Sequence, residues 1–191
     1  MYHIKNDQRA IRSSQLLYDA LTSLMREKPY DTIKVTDLVA TAQVGRTTFY
    51  RNFDTIEDVL RMRCDQVFNG LMDYIKSYLQ QHPREVNAMQ LKPTLRYFYL
   101  HSDIIELLML AKRIDIIHDA FLSCMEPFRA QITAHQGVSE EYVDYAIAIR
   151  AGVTVNILIH WIETDKQKAP DELANTLKGM FSNPMTLGQL M

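Results

Sequence analysis

The sequence predicts an all-α protein of about nine helices, and three observations carry that reading. Apolar residues recur at three- and four-residue spacing along most of the chain, and no segment alternates convincingly as a strand would. Only six Gly and six Pro occur in 191 residues, too few punctuators for a turn-rich β-sandwich. Capping residues and breakers fall between the periodic runs. A composition of 47% hydrophobic and 23% charged residues is that of a globular chain and excludes a wholly disordered one.

The first helix spans about Asp7 to Glu27, where Leu17, Ala20, Leu21, Leu24 and Met25 share a stripe. Pro29 ends it, because the residue before a proline is pushed out of the helical region. After a short connection, Thr36 stands as an N-cap ahead of Asp37-Leu38-Val39-Ala40, a second helix ending near Ala42. Gln43-Val44-Gly45 links it to a third helix, Arg46 to Asn52. Thr55 with Asp58 forms a capping box for a fourth helix. That helix meets only Gly70 before Pro83. A fifth covers part of Arg84 to His101, and Ser102-Asp103 open a short apolar sixth ending at Ala111. The next runs from Asp115 to about His135, with a kink expected at Pro127. Ser139 caps a long helix to about Glu163, and Pro170-Asp171-Glu172 start the last, which stops before Asn183-Pro184.

Two short helices joined by three residues have the dimensions of a helix-turn-helix. At about 100° per residue, Phe49 and Phe53 fall on one side of the third helix, suited to packing on Leu38, Val39 and Val44. Arg46, Thr47, Tyr50 and Arg51 share the other side, with Thr48 between the two groups. Arginine can neutralise phosphate or grip guanine at two points. Threonine and tyrosine hydroxyls reach phosphate oxygens.

The run Ile33-Lys34-Val35-Thr36-Asp37-Leu38-Val39, then Ala42 to Phe53, then Glu57-Asp58-Val59-Leu60 resembles the DNA-binding domain of TetR/AcrR transcriptional regulators. The Arg46-x-Thr48-Phe49-Tyr50 form looks most like the branch that includes regulators of dihydroxyacetone kinase operons. This motif-bearing resemblance covers about residues 8–62. Beyond it, likeness rests on helix order and on Trp161 followed by Pro170-Asp171-Glu172-Leu173.

The resemblance implies a helix-turn-helix DNA-binding domain over residues 1–54 and a helical effector-binding and dimerisation domain over 55–191. It implies a cytoplasmic, ligand-responsive regulator, a repressor, that binds a palindromic double-stranded DNA operator as a homodimer and is released by a small-molecule effector. Arg46, Thr47 and Thr48 would enter the major groove. Tyr50 and Arg51 would hold phosphates or base edges. Lys34 and Thr36 would meet the backbone at the start of the second helix.

Two departures from the family pattern stand out. Gln43 occupies a turn position usually held by glycine, and Ile56 replaces a lysine that usually meets phosphate, with Asp54 nearby. Losing one phosphate contact lowers the salt slope by about one. A co-regulator on the same fold, acting mainly through a protein partner, is the second reading these departures leave open.

The resemblance also implies a dimer built from the last two long helices. Tyr142, Ile149, Val153, Ile157 and Trp161 recur along one of them, beside the small residues Ala146, Ala148, Ala151 and Gly152. Leu173, Leu177, Met180 and Phe181 give the other an apolar stripe. For an effector pocket, the candidates are Phe68, Met72, Tyr97, Phe98, Leu107, Met109, Phe121 and Met125, with Arg63, His101 and Tyr97 as polar anchors.

Other chemistry finds little support. No phosphate loop, Gly-x-Ser-x-Gly elbow or His-Glu-x-x-His pair occurs. Asp115 and His118 stand one turn apart, but a metal bundle needs more ligands, so no metal, cofactor or enzymatic role is assigned. Cys64 and Cys124 make no disulfide framework and read as reduced thiols. The N-terminal residues lack the apolar run of a signal peptide. Val143 to Ile162 is a poor membrane span, interrupted by Asp144, Arg150, Asn156 and His160. The formal charge of −2 hides a split: residues 1–53 hold eight Lys/Arg against five Asp/Glu, a net of +3, leaving −5 for the rest. The basic excess is modest, so a few well-placed contacts and dimeric avidity would have to carry DNA binding.

Overall fold

A computed structural model describes residues 1–4, 7–83, 90–129, 133 and 139–182. These form nine α-helices, and no strand occurs among the described residues beyond a single bridge between Tyr2 and Phe53. The chain divides into two compact units, Met1–Val67 with Asp103–Ala120, and Phe68–Ser102 with Phe121–Met191.

In the first unit, α1 (Gln8–Glu27) is capped by Asp7, whose carboxylate accepts the Ala10 N–H at 2.8 Å. Its predicted stripe is the one buried: Leu17, Ala20, Leu21, Leu24 and Met25. α2 (Val35–Thr41) and α3 (Arg46–Asn52) pack on α1 and on each other. Thr36 is not the cap of α2, because Val35 is already helical and Lys34 is the cap residue. The Asp37 carboxylate accepts the Lys34 N–H at 3.2 Å and pairs with Lys28 at 2.5 Å, which fixes the start of the helix earlier. The capping box at Thr55 forms as predicted. Asp58 accepts the Thr55 N–H at 2.9 Å, and Thr55 Oγ1 accepts the Asp58 N–H at 3.4 Å, opening α4 (Ile56–Gln81).

The short helix α6 (Asp103–Leu110) and the start of α7 (Ile114–Met125) complete this unit. Arg113 and Arg61 bridge Glu57, and they also take Asp115, with Asp119 at 2.8 Å from Arg61. The pair considered for a metal, Asp115 and His118, therefore has its carboxylate committed to arginines. The predicted kink at Pro127 does not occur inside a helix. The α-helix ends at Met125 and passes into a 3-10 turn, Glu126–Phe128. Pro127 has no N–H to donate, so the α-helical ladder cannot continue through it. Of the stretch expected to remain helical to His135, residues 130–132 and 134–138 lie outside the described residues.

The second unit holds the later part of α4, α5 (Leu91–Leu100), the end of α7, α8 (Glu140–Glu163) and α9 (Pro170–Ser182). α5 and α9 pack together. Arg96 on α5 grips Asp171 on α9 with two hydrogen bonds of 2.6 Å. Gly70 on α4 faces the Tyr97 hydroxyl so closely that a Cβ there would overlap it. α8 is long and apolar enough to cross a membrane by length and composition alone. Its Val143, Ile147, Ala151, Val155, Leu158 and Trp161 are buried within the protein, and 44% of its most apolar window is buried in all.

Candidate nucleic-acid interface

The α2–α3 connection is built on Gln43, whose φ is 53°. Gly45 does not relieve it, because Gly45 has φ −67° and ψ 145°, an extended conformation open to any residue, and it caps α3. The turn thus holds glutamine in the left-handed region. Val44 N–H donates to the Val39 carbonyl at 3.0 Å, which holds the turn against α2.

α3 separates its residues as the helical arithmetic requires. Phe49 and Phe53 are both fully buried, with ring centroids 5.9 Å apart, and Leu38 is buried with them. Arg46, Thr47, Tyr50 and Arg51 are exposed, and Thr48 is half-buried. Tyr50, 57% exposed, rests edge-on against Phe49 at 5.2 Å, so its hydroxyl is offered from a ring that the core supports. Lys34 and Thr36 are exposed at the start of α2. The Thr36 hydroxyl lies 3.4 Å from Asp37 and donates to it. Lys28 beside Asp37 holds that carboxyl below its usual range, so Asp37 stays ionised but paired. At the start of α4, Asp54 is not a free negative charge. The Met1 ammonium lies 3.1 Å away and His3 Nε2 3.3 Å away.

Two tertiary contacts support this face. Asn52, 1% exposed, donates from its side-chain amide to Ser13 Oγ on α1 at 3.2 Å. Its carbonyl accepts the His3 N–H at 2.8 Å. The N-terminal residues thereby clasp the end of α3, and the Tyr2 hydroxyl donates to Asp65 on α4 at 2.8 Å. A polar residue at a core position of the wheel is the one sequence cue that points to Asn52.

The pocket candidates fall in both units. Phe68, Phe98 and Phe121 form a buried aromatic cluster in the second unit, with centroids 5.5 and 6.2 Å from Phe68. Tyr97 packs on Phe98 and on the exposed His101, Met125 is buried, and Met72 is half-buried. Arg63, Leu107 and Met109 belong to the first unit. Arg63 lies over the Tyr18 ring at 5.4 Å. Leu107 and Tyr18 line an open groove of about 460 Å³ between α1 and α6. Of the interface candidates, Tyr142, Ile149, Met180 and Phe181 are exposed and Val153, Ile157, Leu173 and Leu177 half-buried. Trp161 turns inward, 3% exposed, and donates its indole N–H to the Lys168 carbonyl at 2.9 Å.

A family model described as a transcriptional regulator C-terminal region matches residues 87–183. Among solved structures, Lin0861 from Listeria innocua is 17% identical with a TM-score of 0.64, the match covering 94% of each chain. The fatty acid degradation regulator FadR from Bacillus halodurans is 16% identical with a TM-score of 0.51, covering 92% of this chain and 95% of that one. At these identities the two structures speak for the fold. No curated protein matches the chain.

Proposed function

The chain belongs to the TetR-like transcriptional regulators, and on that premise we propose that it is a ligand-responsive repressor that binds a palindromic DNA operator as a homodimer. In this reading residues 1–54 are the DNA-binding head and 55–191 the sensor and dimerisation body, in a cytoplasmic protein. The observation that carries it is α3: Arg46, Thr47, Tyr50 and Arg51 stand exposed over the buried Phe49 and Phe53. Such a helix presents donors and cations to a major groove while its other face is locked in the core. Each subunit would place α3 in one of two successive grooves. An effector would release DNA by favouring a dimer conformation with the wrong spacing between heads. The test is binding to the DNA flanking its own gene in rising salt. Arg46→Ala and Tyr50→Phe should each weaken selective binding, and Arg46→Ala by about 1–3 kcal/mol if it grips a base. Absence of selective binding by the wild type, in that DNA or in a genomic selection, sinks the reading.

A second reading has its own observation. Ile56 stands at the first position of α4, where it offers no phosphate contact. A co-regulator that reaches DNA through a protein partner would tolerate that loss. Recovery of a stoichiometric partner needed for DNA binding would favour it.

A further inference from the structure

The described arginines of the second unit divide sharply. Arg96 holds Asp171, and Arg129 holds Asp144 and Glu126. Arg150, midway along α8, has no such counterpart among the described residues. Its Nε is buried without a hydrogen-bond partner. Burial pushes its pKa down, and the one group that opposes this shift is Cys124 on α7. That thiol is no counter-ion, because its own burial pushes it up to about 12, so it is neutral at ordinary pH. One helical turn beyond Arg150, Thr154 is 6% exposed, and its hydroxyl too has no partner. Residues four apart share a helix face, so two orphaned donors stand side by side.

Arg150 is half-buried, and a buried N–H without an acceptor is costly, as is a buried hydroxyl without a partner. Both costs disappear when an anion arrives. A guanidinium fork matches a carboxylate at two points, and a hydroxyl beside it can donate a third bond. The surroundings are apolar. Cys124 sits on the turn of α7 that carries the buried Phe121 and Met125, and Ile147 and Ala151 are buried on α8. We propose that the second unit binds a small carboxylate with an apolar body, its headgroup held by Arg150 and Thr154. This rests on reading that unit as the sensor body, and it assigns the effector a chemical class.

The test uses the full chain, with n-alkyl carboxylates of four to twelve carbons as probes, each matched with its neutral amide and its amine. Thermal melting and titration calorimetry supply the readouts. At least one carboxylate should raise the melting temperature and bind about tenfold or more tighter than its amide, the scale of a charge-assisted bond. Arg150→Met, which keeps the stem and removes the charge, should abolish that preference and raise the melting temperature of the unliganded protein. Thr154→Val should weaken carboxylate binding severalfold and leave the amide unaffected. Three outcomes would overturn the proposal. One is equal binding of acids and amides throughout the series. Another is an acid preference that survives Arg150→Met. The third is that Arg150→Met lowers the melting temperature and splits the dimer in sedimentation, which would give Arg150 a partner subunit's carboxylate instead. Operator binding is measured in parallel without probes. Selective DNA binding with no acid preference defeats this proposal alone, whereas loss of DNA selectivity defeats the regulator reading.

Discussion

At Gln43 two opposing terms can be weighed against each other. With φ at 53°, glutamine carries a left-handed penalty of roughly 1–2 kcal/mol that glycine does not. Glycine in turn gives the unfolded chain more freedom, worth about 0.4–1 kcal/mol. The balance predicts that Gln43→Gly stabilises the protein by about 0.5 kcal/mol, read as a higher urea midpoint at unchanged slope. A lower midpoint would show that the glutamine side chain makes a compensating contact. Along α3, adjacent residues should behave oppositely. Phe49→Ala removes a fully buried ring and should cost about 3–5 kcal/mol. Tyr50→Phe removes one hydroxyl from an exposed ring and should leave the melt within about 0.5 kcal/mol while weakening DNA binding. A Tyr50→Phe protein as unstable as Phe49→Ala would mean that the wheel is rotated. This division was legible from the sequence because a period of 3.6 residues leaves little choice once two phenylalanines lie four apart. The Asn52–Ser13 bond was not legible, since it joins residues 39 apart and periodicity carries no information on tertiary pairing. The uncompensated Arg150 was hidden for a similar reason. In sequence it is one more charge on a helix, and only packing shows that no carboxylate among the described residues pairs with it.

Helix ends repeat the lesson at a larger scale. Caps made by a side chain to its own helix were readable: Thr55 with Asp58 on α4, and Ser139 accepting the Tyr142 N–H on α8. The start of α2 was misplaced because Asp37 is drawn to Lys28, a residue of the preceding segment. The first half of α4 adds a network that no local rule announces, with Glu57 between Arg61 and Arg113. The Arg113 guanidinium holds the Glu57 carboxyl below its ordinary range, and Asp115 is lowered the same way. A carboxylate with a depressed folded pKa stabilises fully above its unfolded value, about 4.3 for Glu. That contribution is lost as pH falls through the folded pKa. Asp65 works against this trend, because burial raises its pKa and protonation relieves it. Glu57→Gln should therefore be less stable than wild type at pH 7, by up to about 1 kcal/mol for a pair still in reach of water. The gap should close toward pH 3. Urea midpoints across that range decide it, and a constant offset at every pH would mean that Glu57 acts by packing and not by charge.

For the whole molecule, part of the apolar surface left uncovered within one chain lies on the last two helices. Tyr142, Tyr145 and Ile149 on α8 are 56–66% exposed, and Met180 and Phe181 on α9 are 44% and 39% exposed. Single exposed apolar residues need no explanation, but several on two helices of one unit favour an interface. The predicted stripe divides in the fold: its upper part, Tyr142 and Ile149, faces out, while Trp161 closes the lower part against its own unit. A symmetric dimer would therefore centre on the first half of α8 and not on Trp161. Ile149→Glu tests that placement. At 66% exposure the substitution should change the stability of an isolated subunit by no more than about 0.5 kcal/mol. In a symmetric contact it would set two carboxylates into an apolar patch, so sedimentation equilibrium should show monomers at micromolar protein. DNA binding should fall by about a hundredfold or more, because a head whose residues 1–53 carry a net charge of only +3 would rely on its twin for avidity. Its salt slope should drop to about half, since half the phosphate contacts leave with the second subunit. An Ile149→Glu protein that stays dimeric with an unchanged slope would move the interface elsewhere. A monomer that keeps full affinity would mean instead that one head suffices for the operator.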